Sequence, residues 1–286
     1  MGKETSIGWT HHTFNPWWGC VRVSPGCEHC YAETFSHRLG LKVWGTQADR
    51  RFFGDKHWNE PLRWNVAAQK AGERRRVFCA SMSDWLEDRP DLIAPRLRLL
   101  RLIRATPALD WLLLTKRPEN FERCLKQAMA FGEGDIVQWI LRWLDGIEPP
   151  LNVWVGTTTE DQEYAEKRIP FLLTIPAVVR FASYEPALGP VNFLPWLKMF
   201  RNDHIVDPTG IAYQTLDWVI VGGESGSSAR PFEIAWGEQV VEAGRVSGAS
   251  IFVKQLGSFG RVGKADGLKD LPLQLQVRQF PEVRHA

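Results

Sequence analysis

Cys20, Cys27 and Cys30 fall within eleven residues of one another, in the segment Cys20-Val-Arg-Val-Ser-Pro-Gly-Cys27-Glu-His-Cys30. In the spacing C-x6-C-x2-C, two thiolates reach one centre from a single turn. The third arrives on a six-residue loop that Pro25 and Gly26 bend. Loop thiols gathered this closely rarely serve packing, so the spacing predicts metal binding. A structural zinc site closes with four ligands, and the fourth would come from His11, His12, His29 or a distant cysteine. A complete four-iron cluster also takes four protein ligands. Three cysteines alone leave one iron open to a substrate or cofactor. The spacing admits zinc and iron–sulfur alike.

The elements that must position these thiols are short β-branched or aromatic runs ending in polar residues. They occur at 76–84, 110–118, 152–160, 178–186, 217–225 and 250–255, and a strand near Ile7–Thr13 makes seven. Near-continuous apolar runs of this length suit strands buried on both faces, as in parallel sheets. Helical patterns fill the intervals at Tyr31–Leu39, Asp91–Arg104, Glu119–Phe131, Asp161–Leu173 and Phe232–Ala243. Within Asp91–Arg104, Leu99, Leu100, Leu102 and Ile103 share one side and Arg98, Arg101 and Arg104 another. Strand–helix alternation predicts an α/β fold: a full or partial β/α barrel of parallel strands with an N-terminal cysteine loop, against the rival of a doubly wound sheet. One domain spans 1–286. Residues 1–39 give the first strand, cysteine loop and first helix, and 40–75 an insertion read as a lid or partner surface. Residues 76–260 give the remaining units, and 261–286 a C-terminal extension.

Either architecture places its active site at the C-terminal strand ends. Those ends carry Ser81, Ser83 and Asp84, then Thr115, Lys116 and Arg117, then Thr157 and Glu160, then Glu185, Glu224 with Ser225, and Lys254 with Gln255. At any one end the commoner reading is a solvated loop; six polar ends in one sheet predict a functional rim. Lys116, Glu185, Glu224 and Lys254 are the catalytic candidates. Lys116 and Arg117 suit an anionic group or a salt bridge in equal measure.

Composition narrows the class. Hydrophobic residues are 44% and charged residues 24% of the chain, enough for a core and against disorder. Thirty-five Lys and Arg against 33 Asp and Glu exclude a chain-wide polyanion binder while leaving room for a basic patch at Arg74–Arg76 or the Arg98/Arg101/Arg104 face. With 14 Trp available for stacking, nucleic acid or a nucleotide stays open as substrate or partner. No apolar run approaches the ~20 residues that cross a bilayer, and residues 1–6 lack the apolar core of a secretory signal. The Gly2-to-Ser6 match to a myristoylation pattern is of the kind that arises by chance. Five cysteines are too few for a disulfide scaffold, which with the absent signal predicts a cytoplasmic, reducing compartment. Gly223-Glu224-Ser225-Gly226 misses a nucleophile elbow by one residue. Gly260–Gly267 lacks the Ser or Thr of a P-loop after Lys264.

The chain also resembles a phage- and prophage-encoded protein family with a three-cysteine motif, distantly related to the radical S-adenosylmethionine (SAM) enzymes. The residues that carry the resemblance run in order along nearly the whole chain. They are Gly8-Trp9-Thr10, Phe14-Asn15-Pro16, Gly19-Cys20, Val23-Ser24-Pro25-Gly26-Cys27, Cys30-Tyr31-Ala32-Glu33, Ser81-Met82-Ser83-Asp84, Leu114-Thr115-Lys116-Arg117-Pro118, Tyr184-Glu185-Pro186, Trp218 through Gly226, and Phe252-Val253-Lys254-Gln255. The resemblance implies a bacterial host cytoplasm and names no reaction for that family. The more distant kinship implies a [4Fe–4S] cluster on Cys20, Cys27 and Cys30. SAM would bind its open iron, an external electron donor would reduce the cluster, and a 5′-deoxyadenosyl radical would attack the substrate. On that view Ser81, Ser83 and Asp84 face the methionine moiety, and Thr157 and Glu160 the ribose. The pattern departs from the commonest radical SAM form in three places. The first cysteine interval is six instead of three, His29 stands where an aromatic is frequent, and Gly222-Gly223-Glu224 lies on a late strand instead of the second.

Overall fold

A computed structural model describes residues 5, 7–197, 214–260 and 267–283. Most of the Gly2–Ser6 pattern, Lys264 and its neighbours, and the last three residues lie outside them. Among the described residues, seven strands follow one another in the sheet in sequence order, and the first and second, second and third, fifth and sixth, and sixth and seventh pair in parallel. Sequential parallel strands joined by crossover helices are the topology of a partial β/α barrel. The chain divides into two compact units whose boundary runs through the fourth strand.

The first unit is Met1–Val23, Cys30–Gly156 and Ile175–Val178. It holds β1 (His12–Thr13), α1 (Tyr31–Arg38), α2 (Asp55–Trp58), α3 (Glu60–Ala71), β2 (Arg75–Cys79), α4 (Ile93–Arg104), β3 (Leu109–Thr115), α5 (Phe121–Ala130), α6 (Asp135–Leu144) and the start of β4 (Val153–Thr158). β1 is shorter than its apolar run: Thr10 turns back instead of pairing, its hydroxyl donating to the carbonyls of His12 and Arg76. Within the 40–75 segment, residues 55–71 are helical, as α2 and α3. Asn65 of α3 accepts from the Ala108 amide ahead of β3 at 2.9 Å, and Trp64 stacks on His12 at 4.3 Å between centroids. α3 therefore works as the crossover helix between β1 and β2. Arg50, from the same segment, is buried and donates to both oxygens of Glu87 (2.6 and 3.2 Å) and to the carbonyls of Val43, Gly45 and Ala48. α6 goes beyond the sequence reading. Its Ile136, Ile140 and Trp143 recur at helical spacing and are buried, and the Trp143 indole donates to the Pro176 carbonyl at 2.7 Å.

The second unit is Ser24–His29, Thr157–Thr174 and Val179–Ala286. It holds the end of β4, α7 (Gln162–Thr174), β5 (Val179–Tyr184), β6 (Trp218–Gly222), α8 (Ile234–Ser247) and β7 (Ser250–Gln255). β4, β5 and β6 are buried from end to end, the outcome expected of apolar runs covered on both faces. Gly244 lets α8 lie close on β7: a Cβ there would stand 2.2 Å from Ile251 Cγ1. Among the described residues, no helix is long and apolar enough to cross a membrane.

Candidate functional site

Cys20 sits just beyond the end of β1, and its approach is fixed by backbone. Gly19 takes φ +112°, and a Cβ there would meet the Val43 carbonyl oxygen at 2.2 Å, so only glycine fits. The Gly19 amide donates to the Met82 carbonyl at 3.0 Å. Asn15 ties the same strand exits together, accepting from the Met82 amide (2.7 Å) and donating to Ser81 Oγ (3.0 Å). Tyr31 Oη, one residue past Cys30, donates to the Ser81 carbonyl at 2.7 Å.

Charge at this end of the unit centres on Asp84 and Arg117. Arg117 Nη1 donates to Asp84 Oδ2 at 2.7 Å and reaches Cys20 Sγ at 3.6 Å, while Nη2 donates to the Val21 carbonyl at 2.7 Å. Asp84 also accepts from Thr115 Oγ1 (2.6 Å) and the amides of Lys116 (2.9 Å) and Leu86 (3.0 Å). Burial pushes the Asp84 carboxyl up, but Arg117 and these donors outweigh it and hold the group below the usual carboxylate range. Burial pushes the Cys20 thiol up to about 12, with Arg117 acting against it. Ser83 Oγ is buried with no hydrogen-bond partner among the described residues, whereas Ser81 is already paired.

In the second unit, Cys27 closes a tight turn, its amide donating to the Ser24 carbonyl at 2.9 Å. Ser24 Oγ lies 3.6 Å from Cys27 Sγ and donates to Glu160 Oε1 at 2.6 Å. Glu160 is fully buried, and Arg168 Nη1 donates to its other oxygen at 2.8 Å. His29 Nδ1 stands 3.1 Å from Glu224 Oε2. Arg230 holds Glu224 through its amide, Nε and Nη2 at 2.9, 2.9 and 2.5 Å, and also reaches Glu28 and the Pro25 carbonyl. Burial pushes Glu224 up, yet Arg230 and His29 prevail and hold it below the ordinary range. Glu185 pairs with Lys254 at 2.8 Å and packs on Gly222, where a Cβ would lie 2.4 Å from Oε1. Thr157 is fully buried on β4.

The polar strand ends are therefore real, and most of their charges are already matched within their own unit. The arginines that match them, Arg168 and Arg230, carry no sequence signal, and Ser24 stands out only within the Val23–Cys27 stretch of the resemblance. Three arginines of the basic patches are matched too: Arg74 grips Asp110 through two nitrogens, Arg98 pairs with Asp55 over Trp58, and Arg104 pairs with Asp135.

Cys20, Cys27 and Cys30 are residues of the type that binds thiophilic metals. All three loop thiols are free of disulfides, and a guanidinium stands ready to offset thiolate charge at Cys20. Among the described residues no three His, Cys, Asp or Glu side chains already form a group that could hold a metal ion. No curated protein matches the chain. A family model described as a protein of unknown function, DUF5131, matches residues 4–281. With nearly its whole length matched, from the segment ahead of β1 to beyond β7, the chain belongs to the DUF5131 family.

Proposed function

We propose that this chain is an iron–sulfur protein whose Cys20, Cys27 and Cys30 carry a [4Fe–4S] cluster, and that it is a radical SAM-type enzyme. The observation that carries the reading is three disulfide-free thiols spaced C-x6-C-x2-C directly after the first strand of a sequential parallel sheet. Three cysteines leave one iron for a chelating ligand, and the amine and carboxylate of SAM supply one. When bound, the cluster supplies the electron that splits SAM into methionine and a 5′-deoxyadenosyl radical.

The protein's part is binding and orientation. Arg117 offsets negative charge at Cys20. Asp84 already takes four donors, so of the three methionine-side residues the Ser81 and Ser83 hydroxyls meet the ammonium, and Ser83 Oγ has no partner among the described residues. Thr157 and Glu160 serve the ribose side. Lys116, Glu185, Glu224 and Lys254 are the candidates for contact with a substrate, taken here as a nucleotide or nucleic acid in a phage- or prophage-bearing bacterial cytoplasm. An external donor supplies the electron. Metal binding would draw the thiolates together and so couple to the loop's conformation.

The test is anaerobic reconstitution with iron and sulfide, followed by SAM and a strong reductant. The expected result is about four irons per chain and slow release of 5′-deoxyadenosine. Alanine at Cys20, Cys27 or Cys30 should abolish both, and Cys79→Ala or Cys124→Ala should abolish neither. Stoichiometric zinc in aerobically stable protein, with no cluster formed anaerobically, overturns the reading. A cluster that never cleaves SAM leaves a metal-stabilised interaction protein.

A further inference from the structure

The loop that carries Cys27 is held at both ends by buried carboxylates. At its start, Ser24 Oγ donates to Glu160 at 2.6 Å. Its middle lies flat on the same side chain: a Cβ on Gly26 would stand 2.4 Å from Glu160 Cγ and 2.5 Å from Oε1. At its end, His29 Nδ1 meets Glu224 at 3.1 Å. Arg230 closes the arrangement, joining Glu224 to Glu28 and the Pro25 carbonyl. Ser24 Oγ has a single proton, and it goes to Glu160, while the hydroxyl oxygen lies 3.6 Å from Cys27 Sγ. Glu224 is ionised and acceptor-only, so Nδ1 carries the proton on His29.

Two carboxylates beside a thiolate ligand would ordinarily repel it. Here each has its own arginine, Arg168 on Glu160 and Arg230 on Glu224, so they offer hydrogen-bond acceptors with little net charge. That combination suits the support of a metal-ligand loop, where outer partners fix the orientation of the ligands. We infer that Glu160 and Glu224, with Ser24 and the bare face of Gly26, are positioning residues that brace the Cys27 loop. The inference rests on the reading of Cys27 as a metal ligand and gives Glu160 a task besides the ribose.

Two measurements on the full-length chain test it. Cys27 is 9% exposed. Ser24→Ala and Gly26→Ala should speed iodoacetamide labelling of Cys27, read by peptide mass spectrometry, by about tenfold or more through local opening. With Co2+ as probe, the thiolate-to-metal absorption should titrate with about 10–100-fold weaker affinity in Ser24→Ala, Glu160→Gln and Glu224→Gln. Exposed Glu163→Gln should titrate like the parent. Should the buried Glu160→Gln fail to fold, the two loop variants decide. Unchanged Cys27 labelling and unchanged Co2+ affinity in those variants overturn the brace, as does a loss of thermal stability with affinity intact. A parent chain that shows no thiolate band while its loop variants still label faster overturns the metal reading and keeps the brace as a contact of the loop alone.

Discussion

Asp84 and Arg117 form a buried pair beside Cys20, and their worth depends on both being charged. The Asp84 carboxyl is held below its ordinary range. Its contribution is therefore complete above the unfolded value of about 3.9 and is lost as pH falls through the lower folded value. Urea unfolding should show no Asp84-linked loss between about pH 5 and 8 and a decline below about pH 4. Asp84→Asn should flatten that acid limb. Asp84→Ala should cost about 3–5 kcal/mol at neutral pH, because it leaves Arg117 buried and uncompensated. An Asp84→Ala chain as stable as the parent would mean that water reaches the guanidinium. The sequence made Asp84, Lys116 and Arg117 visible as polar strand ends. Their mutual pairing was not visible, since Asp84 and Arg117 are 33 residues apart and meet only once β2 and β3 pair. Ser24 and Glu160, 136 residues apart, show the same limit more sharply.

At the scale of the helix and strand, α8 and β7 meet at Gly244. Replacing a helical glycine by alanine ordinarily gains about 1 kcal/mol. Here the new methyl would stand 2.2 Å from Ile251 Cγ1, a branch close to the backbone with no freedom to swing clear. Overpacking of this kind costs about 1–3 kcal/mol, and so tight an overlap belongs at the upper end. Gly244→Ala should therefore be net destabilising, seen as a lowered Tm, and a raised Tm would show that α8 can shift outward. The seven strands were legible because their runs are apolar on both faces. β1 was overread because Thr10 can satisfy its own turn. In α6, Ile136, Ile140 and Trp143 keep helical spacing, yet two tryptophans and three β-branched residues in so short a run resemble a strand as much as a helix.

Over the whole molecule the charges are nearly balanced, at a formal +2, and among the described residues many are paired locally. Arg74, Arg98 and Arg104 would each have to leave a carboxylate before meeting a phosphate. Phosphate contacts set the salt dependence of polyanion binding, at about −0.9 in log–log slope per contact. Heparin chromatography should therefore elute the chain at or below physiological ionic strength. Tight, steeply salt-dependent retention would show that these pairs open. A nucleic-acid substrate, if that is what the proposed enzyme takes, would then be recognised through a few groups at the strand ends and not through a basic face.

The Arg50–Glu87 pair has a consequence for how such a chain can vary. Arg50 lies in the 40–75 segment and Glu87 beyond β2, and both are buried, the guanidinium also binding three carbonyls. Loss of either partner strands the other's charge in a low-dielectric interior. The exposed side chains of this segment, Phe52, Leu62 and Val66, are under no such constraint. Among relatives, those surface positions should drift independently, whereas positions 50 and 87 should change only together.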